Sequence, residues 1–455
     1  MVVGLARQGK AAARYLAEHG ANVVVSDRKS ADQLKNETGE LAGLDIEFIL
    51  GGHPPELIEG ADLLCLSGGV PADLPLAQQA RRSGIRLTND SQLFLEACPA
   101  PVIGITGSAG KSTTTALVGR MAAAHLEPLG RRAWVAGNIG RSPLTDLGRI
   151  AAEDWVVLEL SSFQLELMDL SPHVAAVLNV TPNHLDRHRT MSAYLEAKAR
   201  ILEFQGPADL AVLGRDDPHT WDLRPRVKGR LVSFGFDRPL QGEGTFVRQG
   251  QVWWSDAAGE RGLVSLDVVE LRGRHNRQNV LAACAIAAAC DFSRQAIEAG
   301  VAGYRGEPHR LSFVGRARGA DWYDDSIATA PERTMAALRS FEEPIVLLAG
   351  GRDKDLSWEE FALAVCRRVD HLILFGEAAP KIERAVRSEQ ARLAERGGRP
   401  LTIEVVTGLD AAVAAAAGRA EPGDVVLLSP GGTSFDEFPD FAARGDRFRD
   451  LVQRL

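Results

Sequence analysis

Apolar residues gather in short β-favouring runs at 22–27, 62–67, 102–106, 155–160, 175–180, 345–350, 371–376 and 424–429, with helix-like spacing between them. Runs that short, alternating with helical stretches, predict an α/β fold of mostly parallel sheets. One stretch breaks the alternation. From about 231 to 272, short alternating runs such as Gln251-Val252-Trp253-Trp254 predict a β-hairpin insertion. Proline-bearing joints at Cys98-Pro99-Ala100-Pro101 and Gly306-Glu307-Pro308 predict three domains, over residues 1–97, 98–306 and 307–455. The charged run at 381–399 alternates in sign and reads as a solvated helix face.

The chain has 455 residues, 45% hydrophobic and 25% charged, which excludes wholesale disorder and a fibrous repeat. Its 52 Lys and Arg stand against 60 Asp and Glu, a net charge of -8 with no basic patch, so neither nucleic acid nor an anionic membrane is an expected partner. The longest apolar run, 280–290, falls far short of the roughly 18 residues of a membrane span. Arg7 and Lys10 interrupt the start before a signal-like apolar core develops, and the five cysteines show no paired spacing. A reduced cytoplasmic setting is therefore expected. The chain begins almost inside its first strand, which points to a truncated start.

Candidate chemistry falls at the ends of the apolar runs, where open parallel sheets bind ligands. The turn Gly4-Leu5-Ala6-Arg7-Gln8-Gly9, followed by Asp27 and Arg28 at the end of the next strand, reads equally as a tight turn or as a diphosphate cradle. Asp27 reads equally as a cap. Gly68 and Gly69 form a second glycine turn. The strongest motif is Gly104-Ile105-Thr106-Gly107-Ser108-Ala109-Gly110-Lys111-Ser112-Thr113, after a strand and before a helix. In such a loop backbone N–H groups face phosphate oxygens, Lys111 adds charge, and the Ser112 or Thr113 hydroxyl can reach magnesium.

Glu159 closes an apolar run, where a carboxylate suits a magnesium ligand, and His184 lies in the polar stretch after another run. Lys198 shares the apolar face of its helix with Tyr194, Ala197, Ile201 and Leu202. Two readings stay open for it: a packed stem with a snorkelling head, or a desolvated amine of lowered pKa available for covalent modification. Further on, Arg310, Asp325, Thr329, Lys354 and Ser434 put cations, hydroxyls and backbone donors near strand ends, as a small anionic substrate requires.

In their order these motifs resemble the Mur ligase family of ATP-dependent amide-forming enzymes, and the resemblance covers nearly the whole chain. Besides the phosphate loop it rests on Ala136-Gly137-Asn138-Ile139-Gly140, Glu159-Leu160-Ser161-Ser162-Phe163-Gln164-Leu165-Glu166, Asn179-Val180-Thr181-Pro182-Asn183-His184, Gly273-Arg274-His275-Asn276-Arg277-Gln278-Asn279 and Ser429 through Asp436. The resemblance is greatest to the branch that adds D-glutamate to UDP-N-acetylmuramoyl-L-alanine in peptidoglycan synthesis, acting as a monomer. It implies an N-terminal Rossmann-like domain for the UDP-sugar, a central ATPase and a C-terminal Rossmann-like domain for the amino acid.

Position by position, the resemblance implies that Gly107 through Thr113, Asn276, Arg310 and Asp325 bind ATP. Ser112 and Glu159 would hold one Mg2+, and His184 with a carbamylated Lys198 a second; Lys111, Glu159, His184 and Lys198 are the implied catalytic set. The UDP-substrate would meet Ala6, Arg7, Asp27, Arg28, Gly68, Gly69, Asn138 and Ser161, and glutamate would meet Thr329, Lys354, Ser434, Phe435 and Phe441. Four positions depart from the pattern: Ala109 and Ala330 replace asparagines, Gln92 an acidic residue, and Ile327 a lysine. Other amide ligases, such as a folate polyglutamate synthase or an L-glutamate-adding variant, and a non-enzymatic phosphate-loop switch are the competing readings.

Overall fold

The apolar runs become strands of three sheets in the computed structural model, which describes residues 1–183, 185–306, 308–394 and 399–455. The first sheet holds β1 (Val2–Val3), β2 (Val23–Asp27), β3 (Ile46–Leu50), β4 (Leu63–Leu66) and β5 (Arg86–Thr88), all parallel, in the order β3-β2-β1-β4-β5. The order reverses between β1 and β4, so the glycine turns after these two strands flank one crevice.

The second sheet runs β14-β13-β12-β11-β10-β9-β6-β8-β7. Its parallel part comprises β6 (Val102–Thr106), β7 (Ala133–Gly137), β8 (Trp155–Glu159), β9 (Val174–Val177), β10 (Leu210–Gly214) and β11 (Arg230–Phe234). The expected hairpin insertion is larger than a hairpin. β12 (Glu243–Arg248) continues the sheet parallel to β11, and β13 (Gln251–Asp256) and β14 (Gly259–Ser265) fold back antiparallel to make a three-stranded meander.

The third sheet orders β15 (Ser312–Ala317), β16 (Ala320–Asp324), β20 (Val425–Gly431), β17 (Ile345–Gly350), β18 (His371–Phe375) and β19 (Thr402–Val405), antiparallel only at β15. Alternate residues of β17 feed two apolar layers: Ile345, Leu347 and Ala349 pack on one face, Val346 and Leu348 on the other. A strand buried on both sides therefore reads as a continuous apolar run.

The described residues gather into two compact units, one of 1–269 with 275–303, the other of 270–274 with 304–455. The first unit contains two sheets because one apolar core joins them, with Val2, Val25 and Phe94 in the same cluster as Val102, Val177 and Leu213. Polar ties add to that core. Gln92 donates to Glu96 (2.9 Å) and its carbonyl accepts from the Asp169 N–H (2.9 Å) and the Leu170 N–H (3.3 Å). The departure at this position thus has a physical role, since a carboxylate could accept those bonds but not make the donation.

Residues 280–289 of the apolar run are the buried part of helix Arg274–Ala289, Cys290 follows its end, and no helix among the described residues is long and apolar enough to cross a membrane. All five cysteines are free. In the run at 381–399, helix Ala379–Ala394 buries Ile382 and Val386 and leaves most of its charges outside.

Gly9 shows how closely the first turn is built. A Cβ there would lie 1.8 Å from the Gly4 carbonyl oxygen, backbone that cannot swing aside. Gly9→Ala is expected to destabilise the protein by about 1–3 kcal/mol, the usual penalty of overpacking, read as a lowered midpoint in urea unfolding.

Candidate active site

The phosphate loop leaves β6 at Thr106 and enters helix Lys111–Leu126 through Gly110, whose φ of +83° favours glycine. A Cβ there would also meet Asn279 Oδ1 at 2.1 Å, so that side chain would have to give way. Asn279 also donates to Asn276 Oδ1 (3.1 Å), which ties the base of the loop to the implied adenine-binding residue. Lys111 lies over the loop, its Nζ donating to the carbonyls of Gly107 (2.9 Å) and Ser108 (3.4 Å). The side-chain amide of Asn179 pairs with the Ala109 backbone, its Oδ1 accepting from the Ala109 N–H (2.9 Å) and its Nδ2 donating to the Ala109 carbonyl (3.0 Å). The Ala109 side chain takes no part, so alanine keeps this loop geometry.

Glu159 ends β8 and is 2% exposed. Asn138 Nδ2 donates to its Oε1 (2.8 Å), while its Oε2 has no hydrogen-bond partner among the described residues. A buried carboxylate oxygen without a donor suits a hard cation that keeps several waters, and a hydroxyl oxygen such as that of Ser112 is the kind of ligand the same ion takes. Gly137 makes the Asn138 contact possible: its φ is +106°, and a Cβ there would lie 2.3 Å from the Glu159 carbonyl oxygen. Asn138, assigned by resemblance to the UDP-substrate, thus also orients Glu159.

Lys198 is 1% exposed on helix Met191–Glu203. Its Nζ donates to the Gly107 carbonyl (2.9 Å), lies 3.5 Å from Thr106 Oγ1 and sits 4.6 Å from the centre of the Tyr194 ring. Burial drives its pKa well below the ordinary 10.5, the Lys111 charge lowers it further, and Glu159 opposes the shift. Of the two sequence readings, the desolvated amine is the one the structure contains; the head does not reach water. Tyr194 joins the same network by bonding Ser108 Oγ (3.1 Å). His184 lies outside the described residues.

The residues implied for the UDP-substrate are engaged locally. Asp27 Oδ2 accepts from the Leu5 N–H (2.7 Å) and Oδ1 from the Lys29 N–H (2.9 Å), so this carboxylate braces the first glycine turn. Arg7 donates to the carbonyls of Asn138 (3.1 Å) and Gly140. Gly68 donates its N–H to Gln8 Oε1 (3.0 Å), whereas Ala6 is exposed at the N-cap of helix Arg7–Glu18 and Arg28 and Gly69 are exposed. Ser161 forms a capping box with Gln164, accepting from its N–H (3.2 Å) and donating to its Oε1 (2.9 Å).

In the second unit, the ends of β16, β20 and β17 are neighbours and carry Asp325, the 431–434 turn and Lys354. Asp325 is buried and accepts from Ser429 Oγ (2.7 Å) and the Leu311 N–H (3.2 Å); burial pushes its pKa up to about 7, against those bonds and the charge of Arg310. Lys354 Nζ donates to Thr329 Oγ1 (3.2 Å). Ser434 is buried and Phe435 exposed, while Phe441 begins helix Phe441–Val452 and accepts from Ser326 Oγ through its carbonyl (2.8 Å).

Sequence reasoning missed Arg444. This arginine is 1% exposed and donates to Ser326 Oγ and Ser326 O (both 2.9 Å) and to Gly432 O (3.2 Å), joining the loops of Asp325 and Ser434. Nothing in its spacing marks it, because its partners lie 118 and 12 residues away.

Models of three consecutive family domains match the chain: "Mur ligase MurD-like, N-terminal domain" over 1–89, "Mur ligase middle domain" over 105–287 and "Mur ligase, glutamate ligase domain" over 309–432. The protein named UDP-N-acetylmuramoylalanine--D-glutamate ligase in Symbiobacterium thermophilum is 42% identical, over all of this chain and 97% of the relative. Its namesake in Desulfitobacterium hafniense is 39% identical, with the same coverage of both chains. Among solved structures, the UDP-N-acetylmuramate-alanine ligase of Thermotoga maritima shares the fold with a TM-score of 0.57 at 19% identity, over all of this chain and 98% of that one.

Ala330 gives a prediction for the local structure. It occupies the N-cap of helix Pro331–Leu338 with extended backbone (φ -149°) and no side-chain bond, so the helix start is favoured by the proline that follows and by Glu332 in the first turn but not by a cap. Ala330→Asn is expected to raise stability by about 1 kcal/mol, seen as a higher urea midpoint at unchanged slope.

Proposed function

The chain belongs to the Mur ligases, ATP-dependent carboxylate–amine ligases, and on that premise we propose that it joins D-glutamate to the terminal carboxylate of UDP-N-acetylmuramoyl-L-alanine, converting ATP to ADP and phosphate. The observation that carries the choice of substrates is the likeness, over its whole length, to proteins named for that reaction. The site's geometry supports the chemistry.

A carboxylate resists attack by an amine because its own charge repels the nucleophile and oxide is a poor leaving group. Transfer of the terminal phosphoryl group of ATP to that carboxylate gives an acyl phosphate. The neutral amine of glutamate then attacks the acyl carbon, and phosphate leaves with the electron pair of the broken C–O bond. Backbone N–H groups of Gly107 through Thr113 and the Lys111 amine hold the phosphates in this scheme, and Asn276, Arg310 and Asp325 contact the nucleoside. Ser112 and the unpaired oxygen of Glu159 would hold magnesium. When bound, it supplies positive charge that offsets repulsion among phosphate oxygens. Asn138 keeps Glu159 oriented for that task.

Lys198 takes part as a carbamate. Burial lowers the pKa of its amine well below 10.5 and so favours the neutral form, and only a neutral amine adds carbon dioxide, losing a proton and becoming an anion. That anion and His184 would hold a second magnesium. The UDP-sugar is held by Ala6, Arg7, Asp27, Arg28, Gly68, Gly69, Asn138 and Ser161, and glutamate by Thr329, Lys354, Ser434, Phe435 and Phe441.

Two measurements check this reading. In a panel of D-glutamate, L-glutamate, D-aspartate, L-lysine and diaminopimelate, ADP release with UDP-N-acetylmuramoyl-L-alanine is expected to be greatest with D-glutamate, and a preference for a diamino acid would overturn the assignment. Lys198→Ala is expected to lose about 100- to 1,000-fold in turnover, with part of the loss restored by acetate or formate. Full activity of that variant without added carboxylate would refute the carbamate.

A further inference from the structure

The loop that follows β16 carries Asp325, Ile327 and Thr329, and two cations approach it from different elements. Lys354, beyond the end of β17, donates to Thr329 Oγ1 at 3.2 Å. Arg333, in the first turn of helix Pro331–Leu338, donates through Nη1 to the carbonyl of Ile327 at 3.1 Å. Among the described residues this is the only side-chain hydrogen bond of Arg333. A guanidinium has five N–H donors, so the remaining part of its planar fork is uncommitted.

These charges lie close enough to act on one another. Lys354 is lowered in pKa first by desolvation and then by Arg333, with Glu332 opposing. Arg333 is lowered first by desolvation and then by Arg310, with Asp325 and Glu332 opposing. Like charges crowded around one loop repel each other, and a bound anion would relieve that repulsion. At position 327 the family resemblance implies a lysine. Here it is a half-buried isoleucine, and an arginine bonds to the carbonyl of that same residue.

We infer that Arg333 is a specificity-determining residue, its guanidinium binding the side-chain carboxylate of glutamate opposite Lys354 in place of the cation absent at 327. The inference rests on the glutamate-adding reading and names how this chain's version of the pocket is charged. A planar fork suits a carboxylate better than the point charge of an ammonium, since it can give two parallel hydrogen bonds.

The test separates ligand binding from a loop pin. Arg333→Gln keeps a neutral donor for the Ile327 carbonyl and removes the charge, and D-glutamine keeps the attacking amine of D-glutamate and removes the side-chain charge. Measured by ADP release, R333Q is expected to raise the KM for D-glutamate about 10- to 100-fold, the loss of one charge-assisted contact, with the KM values of ATP and the UDP-substrate unchanged. The preference for D-glutamate over D-glutamine should fall by the same factor. Arg333→Lys should retain most of the preference, and adding Ile327→Lys to R333Q should restore it. An unchanged preference in R333Q, with or without a general loss of affinity, would overturn the inference. Lys354→Ala, assayed alongside, tells its failure from that of the glutamate reading: if Lys354→Ala loses D-glutamate affinity and R333Q does not, only the role of Arg333 falls. A wild-type enzyme that prefers a cationic amino acid would sink both.

Discussion

An amine with no carboxylate partner among the described residues, taken out of water beside a phosphate loop, is the constraint around which the first unit is arranged. Lys198 cannot stay charged there cheaply, because desolvation and Lys111 both act against its proton. The helix that carries it presents Tyr194 to Ser108 of the loop, so the residue that crowds the amine also fixes the loop's side-chain contacts. Among the described residues Glu159 supplies the opposing charge, and Asn138 with Gly137 fixes that carboxylate. Remove the burial and the amine becomes an ordinary surface cation, repelling the metal ions that the phosphates need. The linkage to stability follows the same sign. Because the unfolded chain keeps its proton up to about 10.5 and the folded amine does not, the unmodified protein gains stability as pH rises from the lowered folded pKa toward that value.

The three sheets serve this chemistry by a shared rule. Parallel strands bury their apolar runs on both faces and release the chain at one edge, where glycines permit turns tight enough to bring backbone donors together. Gly9 against the Gly4 carbonyl, Gly110 against Asn279 and Gly137 against Glu159 are three instances in which a methyl group would collide. Each leaves a different arrangement at its strand end: a brace for the first turn, a loop of backbone donors, and a carboxylate held by Asn138.

Much of this was legible from the sequence because it is local. The phosphate loop is a contiguous motif, the β-rich runs are strands, and Lys198 on an apolar helix face could be read from spacing alone. Other features depend on residues far apart in sequence. Arg444 meets Ser326 across 118 positions, and Gln92 meets Asp169 across 77, so neither partnership leaves a periodic trace. Asn138 on Glu159 is intermediate: both motifs were visible, but their pairing needed β7 and β8 to lie side by side. Arg333 was invisible for another reason, since an arginine in an exposed first turn looks like any solvated residue until the carbonyl it meets is known.

The chemical state of Lys198 is the point on which the account turns. Incubating the protein with isotopically labelled bicarbonate and recording carbon NMR tests it directly. The account predicts one carbamate resonance in the wild-type protein, absent in Lys198→Arg and lost as the pH is lowered enough to protonate the amine. A wild-type spectrum without a carbamate signal, or one that survives unchanged in Lys198→Arg, would contradict it.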